Sequence, residues 1–195
     1  MERKQLKEKL ALASRILYNE GHGDLHLGHI SARLPGEKLV YMKPSGFGLE
    51  EIGPEDIIAL DFDGNKVEGL HQVHGEWPIH TEIYQARHDV NAVIHTHPLY
   101  ATAFCALKKP FPLISQDAVV FYEGLPFFDE TPALITNKEM GKMLAQKLGS
   151  ARAVLMANHG ITVVGSGIEE AVCLAVHLEK AMKTYFIVCS SGEEL

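Results

Sequence analysis

The stretch that most constrains this chain is Asn91-Ala92-Val93-Ile94-His95-Thr96-His97-Pro98. It reads as a short strand ending in two histidines one residue apart. In an extended chain, residues i and i+2 point to the same face, so His95 and His97 aim at one point while Thr96 faces away. Pro98 lacks a backbone N–H and disfavours continuing the strand. The pair therefore sits at a strand end, where functional groups collect. Two imidazoles converging on one point make half of a zinc-type site. An HxH alone is equally compatible with two polar residues at a loop mouth, so the rest of the chain must supply the other ligands.

Taken in order, the chain alternates helices, hairpins and strands. Leu6, Leu10, Ala13 and Leu17 recur at helical spacing, predicting a helix from about Arg3 to Glu20 with Gly21 as its stop. Ile30 to Leu34 and Lys38 to Met42 read as a hairpin around Pro35-Gly36. Lys43-Pro44-Ser45-Gly46-Phe47-Gly48 is a small-residue loop that either cradles an anion or is a plain turn. Ile57 to Phe62 and Lys66 to Glu68 form a second hairpin through Asp63-Gly64. Glu76 stands at the entrance of a helix running to about Arg87, with Pro78 in its first turn. A helix is expected from Leu99 to Leu107, candidate strands at Leu113-Ile114 and Ala118 to Phe121, and a helix over Asn137 to Leu148. Strands at Ala153 to Met156 and Ile161 to Val164 flank Asn158-His159-Gly160. The last and longest helix spans Ile168 to about Cys189.

This pattern predicts one α/β domain over residues 1–195, with a mixed, largely antiparallel sheet covered by helices. A chain of 195 residues buries roughly 70% of its unfolded surface and needs no staples. A net charge of −7 supplies no basic face for a nucleic acid. No apolar run approaches membrane-spanning length, and the charged N-terminus Met1-Glu2-Arg3-Lys4-Gln5 is not a signal peptide. Cys105, Cys173 and Cys189 lie in apolar segments without a CxxC, which predicts buried thiols in a reducing, cytoplasmic setting.

His159, between two apolar strands, reads alone as core or ligand, and Glu76 reads alone as a solvated carboxylate or cap. Together Glu76, His95, His97 and His159 supply three imidazoles and one carboxylate from element ends. That set suits zinc or a similar divalent ion. His22, His26, His71, His80, His88 and His177 read as structural or solvated, with His80 able to face the site from its helix.

These residues sit inside a longer set of ordered motifs: Gly28-His29-Ile30-Ser31-Ala32-Arg33, Lys43-Pro44-Ser45-Gly46, Glu76 followed by Ile79-His80-Thr81-Glu82-Ile83-Tyr84, Asp89 through His97, and Asn158-His159-Gly160. The set resembles the class II aldolase/adducin family over nearly the whole chain. The resemblance implies a three-layer α/β/α sandwich, usually a ring tetramer acting on small molecules. It implies His95, His97 and His159 as metal-binding histidines, with Zn2+ the leading ion and Mn2+ or Co2+ as alternatives. It gives Glu76 two parts, metal carboxylate and proton carrier. The implied activity is carbon–carbon lysis, with retro-aldol cleavage of a sugar-phosphate-like substrate through an enolate or enediolate as the family default.

The chain departs from the aldolase pattern where phosphate is held. The aldolases carry an asparagine where this chain has His29, and two serines where it has His74 and Gly75. Only the Ser45-Gly46 loop keeps its character. The aldolase tyrosine that donates a proton falls on about Gln116. Substrate contacts expected from the matching motifs are Gly28, His29, Ser45, Gly46, His74 and Gly75. His29, His74, Ser45 and Arg33 also suit a carboxylate or an aromatic hydroxyl, the ligands of a family branch that decarboxylates hydroxylated acids. A third alternative is a non-catalytic, adducin-like interaction module.

Overall fold

The computed structural model describes residues 2–131 and 133–193. Its centre is an eight-stranded sheet in the order β4-β3-β2-β1-β5-β8-β7-β6. The strands are β1 (His29–Ala32), β2 (Val40–Met42), β3 (Ile58–Leu60), β4 (Lys66–Glu68), β5 (Ala92–Thr96), β6 (Phe127–Phe128), β7 (Ala153–Met156) and β8 (Gly160–Gly165). All pairings are antiparallel except β6 with β7. The expected mixed, largely antiparallel sheet is therefore present. At one edge, β4 is exposed and carries Lys66 and Glu68, charges that discourage further strand pairing.

Helices cover both faces. They are α1 (Arg3–Leu17), α2 (Trp77–Ala86), α3 (Leu99–Cys105), α4 (Gln116–Val119), α5 (Lys138–Leu148) and α6 (Ile168–Cys189). The two-residue alternation of the strands sorts side chains between the layers. Along β5, Ala92 and Ile94 join Leu6, Leu10, Phe104 and Leu178 of α1, α3 and α6 in one core. Val93 joins Ile79, Ile83 and Leu144 of α2 and α5 in the other. Since β5 is covered on both sides, all five of its residues are buried. By parity, His95 lies on the α2 face.

The structure corrects several expectations. Leu113-Ile114 is irregular, and the second candidate strand is replaced by α4, a single helical turn whose Asp117 accepts from His177 of α6 at 2.8 Å. A short apolar run does not distinguish strand from buried turn, and packing on α6 decides here. The short strand β6 was not anticipated; its two residues pair in parallel with Leu155 and Met156. Regular helix ends at Leu17, and Tyr18–His22 forms a π-helical turn with Gly21 at φ +89°. That turn tucks His22 into the interior, where its Nδ1 is 2.9 Å from Thr96 Oγ1. Of the cysteines, Cys105 is buried but Cys173 and Cys189 are exposed, because they fall on the outer stripe of α6. Among the described residues, no helix is long and apolar enough to cross a membrane.

The chain leaves β5 through His97 and Pro98 into α3, whose start is tied down by α6. The backbone N–H groups of Tyr100 and Ala101 donate to Glu179 at 3.0 and 2.8 Å. First-turn N–H groups have no partner within their own helix, so this carboxylate replaces water there. Glu179→Ala is expected to destabilise the protein by about 2 kcal/mol, measurable by urea denaturation of the metal-free protein at neutral pH.

Candidate metal centre

Three adjacent strands bring polar residues into one row beneath the start of α2. His29 of β1 is paired with His95 of β5, and His95 with Thr162 of β8. All three side chains are fully buried. Glu76 is the residue from which α2 starts. Its peptide N–H donates to His74 Nδ1 at 3.2 Å, and its Oε1 accepts from the Ile135 N–H at 2.8 Å. The carboxylate is thus turned away from solvent and held over the row. The anchor Ile135 gave no signal in the sequence, being one apolar residue in a loop.

His159 arrives on the three-residue loop between β7 and β8. Asn158 takes φ +53° there, a conformation asparagine tolerates better than most residues. Gly160 follows because there is no room for a side chain: a Cβ would lie 2.5 Å from His97 Cδ2 and 2.6 Å from Thr96 O. Both ring nitrogens of His159 lack a hydrogen-bond partner among the described residues.

Glu76, His95, His97 and His159 offer ligand atoms that all lie within 4.8 Å of one another. His95 Nε2 and His97 Nε2 are 3.0 Å apart. Glu76 lies 3.7 Å from His95 Nε2 through Oε2, and 3.7 Å from His159 Nε2 through Oε1. Tetrahedral bonds of 2.0–2.1 Å would place ligand atoms about 3.3 Å apart. The donor set, its spacing and the orphaned His159 nitrogens fit a divalent ion. Behind the candidate ligands, His97 Nδ1 meets Asp24 at 2.9 Å and His95 Nδ1 meets Thr162 Oγ1 at 3.1 Å. Such contacts fix which nitrogen a metal-binding histidine presents.

The electrostatics point the same way. Burial, then neighbouring rings, hold His95 well below the usual histidine range, and burial lowers His159 to about 4. Both rings are therefore neutral at pH 7, the form that binds metal. Burial raises Glu76 above the ordinary carboxylate range, opposed by the Ile135 N–H and by His97. A carboxylate so placed gains from a nearby cation.

The residues expected to contact substrate divide into three groups. His29 and His74 stand against the candidate ligands, with ring centroids 4.0 Å apart and His29 Nε2 3.7 Å from Glu76 Oε2. The Ser45-Gly46 loop is tied to the segment before Glu76 by Ser45 N–H donating to Gln72 O at 3.0 Å. Gly46 and Gly75 each face open space. Gly28 instead packs closely, since a Cβ there would meet Thr96 and Leu49 at 3.2 and 3.3 Å. A cavity of about 620 Å³ opens beside the cluster, lined by Asp24, Leu27, Leu134, His97 and His159.

One residue behaves otherwise than expected. Arg33 is not at this site. It follows β1 at the end opposite His29, where its guanidinium donates to the carbonyls of Val90, Tyr84 and Arg87. His80, expected to be structural or solvated but able to face the site from its helix, is fully buried and does face it, in contact with His29. Helical spacing from Glu76 is what puts it on the site face. Gln116, at the start of α4, is exposed.

With this geometry in hand, the chain can be set beside known proteins. It matches the family described as Class II Aldolase and Adducin N-terminal domain over residues 8–186, and it belongs to that family. It is 31% identical to an L-fuculose phosphate aldolase of Methanococcus maripaludis, covering 85% of this chain and 87% of that protein. It is 30% identical to a 3,4-dihydroxyphthalate decarboxylase of Arthrobacter keyseri, covering 97% of this chain and 81% of that one. The solved structure of L-fuculose 1-phosphate aldolase from Glaciozyma antarctica superposes with a TM-score of 0.88 at 28% identity, covering 99% of this chain and 76% of that one. The chain spans only 57% and 48% of two longer relatives from Streptomyces.

Two predictions follow from the site's packing and burial. Gly160→Ala should displace His97 and lower zinc affinity at least tenfold by competition with a chromophoric chelator, while the far-ultraviolet circular dichroism stays native. The buried rings should also make the metal-free protein acid-sensitive. Burial lowers His22 to about 4 and His80 to about 3. Between those values and the unfolded value near 6.5, the unfolded chain binds more protons. Stability is therefore full above pH 6.5 and falls with decreasing pH, by on the order of 3 kcal/mol per ring. Denaturant midpoints measured in chelator from pH 7 to pH 4 check this.

Proposed function

We propose that this chain is a divalent-metal-dependent carbon–carbon lyase. The observation that carries the reading is the convergence of Glu76, His95, His97 and His159 from three separate places in the fold, the start of α2, the end of β5 and the β7–β8 loop, beside an open cavity. An interaction module of the adducin kind has no use for a buried glutamate and a buried histidine set against two half-buried imidazoles at metal-ligand spacing. His95, His97, His159 and Glu76 would hold the ion, and zinc suits three imidazoles and a carboxylate best, ahead of manganese and cobalt. When bound, the ion supplies Lewis-acid stabilisation of negative charge developing on a substrate oxygen.

The chain's own residues do the rest. Glu76 is the proton carrier: burial favours its protonated form, and its Oε2 faces the same space as His29 and His95. The substrate is held by His29 and His74, with the Ser45-Gly46 loop and Gly75 shaping the open side. Gly28 serves by letting β1 approach Thr96. The substrate is a small molecule, and the working assembly is a homotetramer, as the family resemblance implies.

Two cleavages fit this frame. Retro-aldol cleavage needs one group to take a hydroxyl proton and another to protonate the carbon left behind. Decarboxylation needs only that second proton, since the electron pair of the C–COO⁻ bond stays on the substrate as carbon dioxide leaves. Glu76 is the one carboxylate in the cluster, and the position matched to the aldolase tyrosine is the exposed Gln116. Imidazoles stand where the aldolases use amide and hydroxyl groups for phosphate. These features favour decarboxylation of a hydroxylated aromatic or other hydroxy acid. The 31% identity to an L-fuculose phosphate aldolase keeps aldol cleavage as the second reading.

The test is an assay of the zinc-loaded protein on dihydroxy aromatic acids and on phosphorylated ketoses, following carbon dioxide and aldehyde release. Chelation should abolish turnover, and stoichiometric zinc should restore it. Glu76→Gln should lower kcat by about a hundredfold or more while zinc remains bound. Near-normal turnover in that variant would remove Glu76 from proton transfer, and a protein that takes up no divalent ion would refute the lyase.

A further inference from the structure

Beside the four ligands lies a second group, His29, His74 and Glu76, whose nitrogen and carboxylate atoms are also close enough to share an ion. Whether they do depends on which nitrogens carry hydrogen. A neutral ring has one N–H and one lone pair, and only a lone pair binds metal. The hydrogen-bond partners on the far side of His29 decide this.

From His29 a chain of buried groups runs through the interior. His29 Nδ1 is 2.7 Å from His80 Nε2, and His80 Nδ1 is 2.6 Å from Ser31 Oγ. Ser31 Oγ is 2.8 Å from Tyr84 Oη. His29, Ser31, His80 and Tyr84 are all fully buried, so no link can borrow a partner from bulk water. Burial keeps His80 neutral and raises Tyr84, which therefore retains its hydrogen. Each link then has one hydrogen, and the chain runs in one of two directions unless both neighbours donate to Ser31, which would leave the Ser31 hydrogen without an acceptor in the interior.

In one direction His29 Nδ1–H donates to His80, His80 Nδ1–H to Ser31, and Ser31 to Tyr84. The Tyr84 hydroxyl hydrogen then has no acceptor, because Ser31 is the one side chain it pairs with and the nearby Val93 N–H can only donate. In the other, Tyr84 donates to Ser31, Ser31 to His80 Nδ1, and His80 Nε2–H to His29 Nδ1. Every hydrogen inside the chain is then placed, and the one left over is on His29 Nε2, which faces Glu76 Oε2 at 3.7 Å. Each direction leaves one donor over, but only the second leaves it at the site, where a carboxylate or substrate oxygen can take it, while the first seals it in the interior. The second direction also turns an N–H, rather than a lone pair, toward the Glu76 oxygen 3.7 Å from His29 Nε2.

We infer that Tyr84, Ser31 and His80 act as positioning residues that hold His29 in the Nε2–H form, making it a dedicated hydrogen-bond donor to a substrate oxygen and barring it from binding a second metal. His74 is constrained alike: its Nδ1 accepts the Glu76 N–H, leaving its hydrogen on Nε2. His29 Nε2 is buried and has no partner among the described residues, so it is a donor awaiting an acceptor. A substrate carboxylate, phenolate or enolate oxygen supplies one. This last step rests on the lyase reading; the direction of the chain does not.

The direct test is nitrogen-15 NMR of histidine-labelled protein, metal-free and zinc-loaded, with signals assigned through His29 and His80 variants. Pyrrole-type Nε2 and pyridine-type Nδ1 signals are expected for both rings, with one zinc bound per chain. A pyridine-type His29 Nε2, or a second zinc lost in His29→Ala, would overturn the inference. Positioning is tested with His80→Gln, which keeps an N–H at similar reach, and His80→Leu, which does not. On whichever acid or ketose phosphate is turned over, KM should rise about ten- to a hundredfold in His80→Leu and recover substantially in His80→Gln. Equal losses in the two variants would reduce His80 to packing. If neither substrate class is turned over while the NMR result holds, the lyase reading fails and the hydrogen-bond chain stands.

Discussion

The antiparallel register of β1, β5 and β8 is the constraint on which the centre depends. It sets His29, His95 and Thr162 side by side on one face of the sheet. A slip of one residue in any of these ladders would send that strand's polar side chain into the opposite core. The apolar residues between them prevent the slip, since Ile30, Ile94, Ile161 and Val163 fill the α1–α3–α6 core at the alternate positions. The packing of one layer thus specifies the chemistry of the other.

Burying so many imidazoles has an electrostatic consequence that runs through the whole centre. Desolvation removes the charged form of His22, His74, His80 and His159 at neutral pH. A neutral imidazole is both a metal ligand and a one-way hydrogen-bond relay, and which role it takes depends on what sits behind it. His97 has a carboxylate, Asp24, at its back, and His95 has Thr162. His29 has a histidine, a serine and a tyrosine in series. The same side chain is thus prepared for different work by its outer contacts.

Much of this was legible in the order of residues. The HxH before Pro98 marked a strand end, and the long amphipathic run placed α6 at Ile168–Cys189. The hairpin around Asn158-His159-Gly160 followed from two short apolar runs and a turn. What stayed hidden was anything decided by contacts distant in sequence. The run Ala118 to Phe121 is as apolar as a strand, yet packing on α6 winds Gln116–Val119 into a helical turn. Arg33 sits in a motif with His29, but four residues of strand carry it roughly 13 Å away, to bind the carbonyls at the end of α2. Ile135 shows nothing in its side chain of the N–H that anchors Glu76.

The sequence by itself determined the family, the alternation that makes a covered sheet, and the residue types able to hold a divalent ion. Those are properties of local pattern and of side-chain chemistry, and neighbours along the chain carry them. Only the tertiary structure decided that Glu76 faces three histidines from other elements, that Arg33 leaves the site, and that His80 and Tyr84 stand behind His29. Each of these depends on strand register and helix packing between segments from about 20 to more than 80 residues apart, where one residue of offset reverses the face a side chain presents.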